Sequence, residues 1–204
     1  MGNEMKKTEQ SRRAYNKKAE NYENTYDGRV TRPIKQMMLD AVNVQNGHTV
    51  IDVACGTGAL IAEASKKAEI QAFGIDISEQ MIKVAEESYQ GISFRVASAV
   101  PLPFEDASAD VIMVSAAFHH FENPQSFADE CFRVLRDGGE VYIGDFCGSP
   151  VVRCIMNFVI RFLRTGDVKI YSEKELTSFF TKAEFEVTDI RKDGPRIVLI
   201  SRKK

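Results

Sequence analysis

Apolar residues change their spacing twice along this chain, and the changes divide it. Between Ser11 and Tyr26, the residues Tyr15, Ala19, Tyr22 and Tyr26 fall at i, i+4, i+7 and i+11, so a tyrosine-faced N-terminal helix is expected. A second helix is expected to open at Pro33, a favoured first helical position, with Ile34, Met37, Met38, Ala41 and Val42 in helical register before the Asn46-Gly47 turn. The polar leader as far as Gln10 carries no such pattern and is read as lying outside the fold.

From residue 48 onward, short β-branched runs alternate with helical stretches. The pattern predicts strands over 48–53, 71–76, 92–97, 110–115 and 140–146, and helices over 58–68, 79–89 and 124–136. Runs as continuous as Val50, Ile51 and Val53 suit a parallel sheet buried on both faces, and the alternation implies βαβ units with helices on each side. Ser78 is the expected N-cap of the helix carrying Met81, Ile82 and Ala85, and Ser172 with Glu175 forms a capping box for a helix over 173–183. Gly138-Gly139 is expected to give a left-handed exit after the helix of Phe127, Cys131, Val134 and Leu135. The final runs, FEVTDIRK and RIVLISRK, are joined only by Asp193, Gly194 and Pro195, too few for a crossover, so they form an antiparallel hairpin.

The segment VVRCIMNFVIRFLR, residues 151–164, predicts a helix that is apolar nearly all round, with Arg153, Asn157, Arg161 and Arg164 as its polar stripe. A packed or dimer-interface helix fits it, and so does the wall of an apolar acceptor pocket or a contact with a membrane-borne substrate.

Length adds a domain count: 204 residues suit a single domain with small additions. The expected divisions are an N-terminal helical lid over 11–46, a core over 47–147, a substrate-side insertion over 148–171 and a C-terminal helix and hairpin over 172–204. A net charge of -2 and a pI near 6.0 give no reason to expect a nucleic-acid partner, and monomer and homodimer stay open. Cys55, Cys131, Cys147 and Cys154 form no Cys-x-x-Cys pair and read as reduced thiols of a cytoplasmic protein. The start MGNEMKKTEQSRR lacks the apolar core of a secretory signal, and no run reaches the ~20 apolar residues of a membrane span, which leaves peripheral contact open.

The chemistry concentrates in VIDVACGTGAL, where an apolar strand ends in an acid and a glycine turn. The phosphate loop Gly-x-x-x-x-Gly-Lys-Ser/Thr is absent. The dinucleotide fingerprint is met by Gly56 and Gly58 but has Ile61 at its third glycine, and Asp52 would bring like charge to a pyrophosphate. S-adenosylmethionine, with an ammonium, a sulfonium and no phosphate, suits an acid beside the turn. Asp76 ends the next strand 20 residues after Gly56, where its carboxylate can accept from both ribose hydroxyls. An NAD-type Rossmann oxidoreductase and a catalytically silent S-adenosylmethionine-binding regulator remain as alternatives.

With VIDVACGTG, FGIDIS, PLPFEDASADVI, AAFHHF and RVLRDGGEVYI in this order, the chain resembles the class I S-adenosylmethionine-dependent methyltransferases, in the branch similar to ubiquinone/menaquinone-biosynthesis and related small-molecule enzymes. The resemblance implies a Rossmann-like, doubly wound α/β fold, its seven-stranded sheet mostly parallel with an antiparallel C-terminal hairpin. It implies S-adenosyl-L-methionine as cofactor, S-adenosyl-L-homocysteine as product, and a small aromatic, quinol-like or lipid-like acceptor. Carried over, Asp52, Ala54, Gly56, Thr57 and Gly58 belong to the methionine end and Asp76 to the ribose. Ile77 and Met81 would hold the adenine faces, Ser98 and Ala99 its edge, while Ser115 lies under the cofactor and Tyr15 and Tyr22 form a lid. The family usually has glycine at Ala54, which a side chain permits only at negative φ, and commonly aspartate at Ser98.

His119 and His120 follow the fourth strand at the edge where ligands of such sheets collect, and are the candidates to orient or deprotonate an acceptor. A structural role with ring nitrogens satisfied by the loop is the competing reading. No metal site is expected, because the histidine pair has no third ligand within sequence reach.

Overall fold

The computed structural model describes residues 4–160, 162–163 and 165–204, with side chains from residue 7 onward; Arg161 and Arg164 of the expected polar stripe lie outside the described residues. Seven strands form one sheet: β1 (Thr49–Val53), β2 (Gln71–Asp76), β3 (Ser93–Val96), β4 (Ala109–Ser115), β5 (Leu135–Phe146), β6 (Phe185–Asp193) and β7 (Arg196–Lys203), in the order β3-β2-β1-β4-β5-β7-β6. β7 pairs antiparallel with both β5 and β6, while the other neighbouring pairs are parallel.

Period-two alternation on the central strands divides the core. Val50, Val111 and Met113 pack on one face with Ile34 and Met38 of α2 (Tyr26–Ala41) and Leu60 and Ile61 of α3 (Ala59–Ala64). Ile51, Val53, Ile112 and Val114 pack on the other with Phe127 and Cys131 of α5 (Pro124–Val134) and Leu176 and Phe180 of α7 (Glu173–Lys182). Each large aliphatic side chain so buried contributes about 1.5–3 kcal/mol. Winding reverses between β1 and β4, and at such a switch point the loops leaving the strand ends part to leave a crevice.

The core elements from β1 through β7 fall within a few residues of the expected spans, and both expected caps are present: Ser78 accepts from Met81 N ahead of α4 (Glu79–Ser88), and Ser172 and Glu175 close their capping box. The N-terminal region differs. A helix, α1 (Glu4–Lys18), already runs through the polar leader, and a 3-10 segment over Ala19–Asn24 breaks the expected stripe, so Tyr26 is exposed on the next helix. α2 opens at Tyr26 rather than Pro33, because the Thr25 hydroxyl caps Gly28 N; Pro33 sits inside the helix at the loss of one backbone rung. The left-handed exit is also displaced: α5 ends at Val134 with Leu135 already extended, and Gly138, alone of its pair at positive φ, lies in the bulge between the Ala109–Leu135 and Val111–Glu140 pairs. The predicted apolar helix exists as α6 (Pro150–Ile160), with Val151, Val152, Ile155 and Phe158 exposed and Ile160 buried. Among the described residues, no helix is long and apolar enough to cross a membrane.

Candidate active site

A cavity of about 400 Å³ opens at the carboxyl ends of β1, β2 and β4. It brings together most of the expected cofactor residues: Asp52, Ala54, Gly56 and Thr57 from the first turn, Asp76, Ile77 and Met81 from the second, Ser98 and Ala99 after β3, and Ser115 at the end of β4. Tyr15 and Tyr22 line it from the N-terminal region, and His120 lines it from the turn over Phe118–His120. Gly58 and His119 are not in the lining. Gly58 instead starts α3 at φ 79°, where a side-chain carbon would stand 2.7 Å from the Phe94 ring, so it serves packing of the turn.

The turn is held by its own acids. Asp76 accepts from Gly56 N at 2.9 Å and from Ser78 N at 2.8 Å, one bond to each carboxylate oxygen, and each oxygen keeps a second lone pair. Asp76 therefore braces the loop as well as facing the cavity. A side-chain carbon on Gly56, at φ 54°, meets nothing within 4 Å, so the cavity comes right up to the backbone there. Ala54 sits at φ 56° and Ala116 at φ 52°. The negative φ expected at Ala54 is thus corrected: the chain keeps the left-handed turn that glycine would favour, at roughly 1–2 kcal/mol.

Asp52 is 1% exposed, and its Oδ2 has no hydrogen-bond partner among the described residues. Burial pushes its pKa up to about 8, against the pull of the Lys35 ammonium and with a push from Asp76. Lys35 itself lines the cavity from α2, paired with Glu23 at 2.7 Å, and Glu23 also accepts from the Thr57 hydroxyl at 3.0 Å. Sequence reasoning missed Lys35, since nothing local separates it from the other lysines. A buried carboxyl with an unpartnered oxygen and a cation on the cavity wall fit the ammonium and carboxylate of an amino-acid ligand, and so fit the methionine end of S-adenosylmethionine. At the end expected to take adenine, the Ser98 hydroxyl bonds its own loop, donating to Val100 O at 2.9 Å and accepting from Val100 N at 3.2 Å.

α1 lies over the opening, with Thr8, Ser11 and Tyr15 on the cavity wall. Polar contacts hold it there: Arg12 to Glu79 at 2.7 Å, Asn16 to Glu79 at 2.9 Å, the Ser78 hydroxyl to Asn16 Oδ1 at 2.6 Å, and Thr8 N to Glu122 at 2.9 Å.

The histidines are fixed by packing and by carboxylates. Phe118, fully buried, sets their turn against Phe121, Phe127, Tyr171, Phe179 and Phe180, with ring centroids 5.5–6.2 Å away. His119 Nδ1 lies 2.7 Å from Asp145 Oδ1, and its Nε2 lies 3.4 Å from Asp167. Burial disfavours the His119 cation, but these two carboxylates prevail and raise its pKa to about 10. His120 is lowered to about 4 by burial and by His119, and its Nε2 is 2.9 Å from the Tyr15 hydroxyl. A third potential ligand does reach the pair, contrary to the expectation: Asp167 lies 3.2 Å from His120 Nδ1, supplied by the loop after α6 and not by nearby sequence. The insertion therefore contributes to the site through Asp167, while no described residue of α6 lines the cavity.

This sheet order and its antiparallel β7 are the Rossmann-like fold that the resemblance implies, with an acid-floored crevice at the switch point. Residues 51–143 match the family model described as a methyltransferase domain. A demethylmenaquinone methyltransferase of Paenarthrobacter aurescens (strain TC1) is 32% identical over 133 residues, covering 65% of this chain and 52% of that protein. Phosphoethanolamine N-methyltransferase 1 of Arabidopsis thaliana is 33% identical over 116 residues, covering 55% of this chain and 24% of that protein. The chain spans about half the length of the demethylmenaquinone methyltransferases it matches, 52% and 48%. Of the solved structures, the Haloferax volcanii putative methyltransferase in complex with the Trm112 activator superposes with a TM-score of 0.79 at 18% identity, covering 92% of this chain and 96% of that one. YcgJ of Bacillus subtilis gives 0.73 at 20% identity, covering 85% and 99%. At such identities the structural likeness concerns the fold.

Proposed function

We propose that the chain transfers a methyl group from S-adenosylmethionine to a small, largely apolar acceptor, with quinol-like and other aromatic hydroxyl compounds ahead of lipid-like ones. The observation that carries the proposal is Asp52, a buried carboxylate at the end of β1 whose free oxygen is available to a cation. Asp52 would take the ammonium, Lys35 the carboxylate, and Asp76 the ribose hydroxyls through the lone pairs its backbone bonds leave over. Ile77 and Met81 would hold the adenine, with the Ser98-Ala99 backbone at its edge. A pyrophosphate would meet two acids at this turn, which disfavours the nicotinamide alternative.

The cofactor, when bound, supplies the methyl sulfonium. The chain then has to exclude water and hold the acceptor atom in line with the carbon-sulfur bond, and positioning of that kind contributes several kcal/mol. The α1 lid would close the cavity, and Phe121 and Ala117 would offer an apolar bed for the acceptor. His120, neutral and joined to Tyr15, is the group placed to orient an acceptor hydroxyl; His119 stands behind it as a positioning residue. The match to demethylmenaquinone methyltransferases supports a quinol acceptor.

Calorimetry with S-adenosylmethionine, S-adenosylhomocysteine and NAD tests the cofactor, and turnover screens with quinols, phenols, amines and thiols test the acceptor. Micromolar binding of the two adenosyl compounds and none of NAD is expected, with Lys35→Met weakening both at least tenfold. S-adenosylmethionine binding without turnover on any acceptor would favour the silent regulator.

A further inference from the structure

Around His119 and His120, segments far apart in sequence meet in a cluster of two imidazoles and two carboxylates. The turn over Phe118–His120 offers two adjacent imidazoles, and the Asp167 loop is fastened to it, since Val168 N and Lys169 N donate to His119 O at 2.9 and 3.1 Å. One oxygen of Asp167 stands 3.4 Å from His119 Nε2 and 3.2 Å from His120 Nδ1. An ion with tetrahedral bonds of about 2.0–2.1 Å spaces its ligands about 3.3–3.4 Å apart, so both edges already have the length of a ligand set.

The far nitrogen of each ring is held from behind. Asp145, 2% exposed at the end of β5, places Oδ1 2.7 Å from His119 Nδ1 and accepts from His119 N at 2.8 Å through Oδ2. The Tyr15 hydroxyl lies 2.9 Å from His120 Nε2, and the second oxygen of Asp167 accepts from the Thr165 hydroxyl. Metal-bound histidines take this outer support almost without exception, because it fixes ring orientation and tautomer. Charge agrees: one divalent cation balances the carboxylates of Asp145 and Asp167 with both imidazoles neutral.

The geometry points to a divalent transition-metal site with His119 Nε2, His120 Nδ1 and the Asp167 carboxylate as ligands and with Asp145 and Tyr15 as their supports. Two imidazole nitrogens and one carboxylate select ions of the zinc type over magnesium, and three protein ligands leave a coordination position for water. An ion on His120 Nδ1 keeps the ring proton on Nε2. Tyr15 then accepts from His120 and has its own hydroxyl proton to offer into the cavity, which links the ion to acceptor orientation. Binding of the ion by these ligands does not depend on the methyl-transfer reading.

The test uses the full chain, free of any affinity tag and stripped with a chelator, titrated with Zn2+, Co2+ and Mg2+ by calorimetry and, for Co2+, by visible absorption. One Zn2+ per chain is expected, with Mg2+ at least 100-fold weaker and a cobalt spectrum of nitrogen and oxygen ligation. Asp167→Ala and His120→Ala should each weaken Zn2+ at least 100-fold, and Asp145→Asn roughly 10–100-fold. Asp167→Asn, which preserves shape, decides should Asp167→Ala fail to fold, and Zn2+ should raise the melting temperature of the native chain but not of this variant. No saturable uptake, or equal uptake by the native chain and Asp167→Asn, overturns the proposal. S-adenosylmethionine titrated into the same stripped protein reads the cofactor site separately.

Discussion

The two ends of the cavity are built in opposite ways. At the cofactor end, Asp52, Gly56, Asp76 and Ser78 come from two consecutive strand-turn-helix units, and backbone amides do most of the bonding. What is left unbonded there is one carboxyl oxygen, Asp52 Oδ2. At the end proposed for the acceptor, Tyr15, His120, Asp145 and Asp167 arrive from four separate segments, and their functional groups meet through side chains. The first end is a property of the sheet and suits a fixed ligand. The second can change with its loops while the sheet stays the same, as fits relatives that carry differently named activities.

Breaking the acceptor end should have the largest effect on the molecule. Phe118→Ala empties a fully buried aromatic site, and a loss of about 3–5 kcal/mol is expected in chemical denaturation. Where the variant remains folded, its S-adenosylmethionine affinity should stay within threefold of the native value while turnover falls, because only the histidine turn has lost its support. Next in size, His120→Ala should lower kcat ~100-fold on an acceptor that carries a hydroxyl, with cofactor affinity unchanged in the same titration.

Two smaller effects belong to the cofactor end. Asp52 is protonated below about 8 in the free protein, whereas a cationic ligand requires its carboxylate. Affinity for S-adenosylmethionine should therefore rise up to tenfold per pH unit toward pH 8 and level off above it, with proton release on binding at pH 7, measurable by calorimetry in buffers of different ionisation enthalpy. Stability runs the other way. The folded state holds this proton more tightly than the unfolded chain, whose Asp titrates near 3.8, so the contribution is full below that value and is lost as pH rises through about 8. The smallest expected effect is that of Ala54→Gly, which relieves a left-handed alanine against the added freedom of glycine when unfolded; a gain of up to ~1 kcal/mol with unchanged binding is predicted from thermal melts.

The same division governs what the sequence discloses. The strands, α4 and the cofactor turn are read from local periodicity and caps, because residues a few positions apart decide them. Ala54 kept its place in the turn but not its expected φ, since the demand for a left-handed residue comes from the route of the chain between β1 and α3. The break over Ala19–Asn24 hid beneath an intact tyrosine stripe, and the start of α2 lay in a single threonine hydroxyl. Lys35, Asp145 and Asp167 carry no local sign at all: their meaning comes from partners 12, 26 and 47 residues away, at Glu23, His119 and His120. Only the folded chain discloses that kind of contact.

The central claim is that Asp52 keeps a buried carboxyl oxygen unpartnered for the sake of a cationic ligand, and Asp52→Asn tests it with one variant and two readouts at pH 9, above the raised pKa of the carboxyl. Removing the charge should raise the melting temperature of the free protein, while calorimetry should show S-adenosylmethionine bound ~10–100-fold more weakly, in line with the loss of a charge-assisted hydrogen bond of about 1.5–3 kcal/mol. A variant that binds the cofactor as tightly as the native chain, or that melts lower than it, would contradict the account.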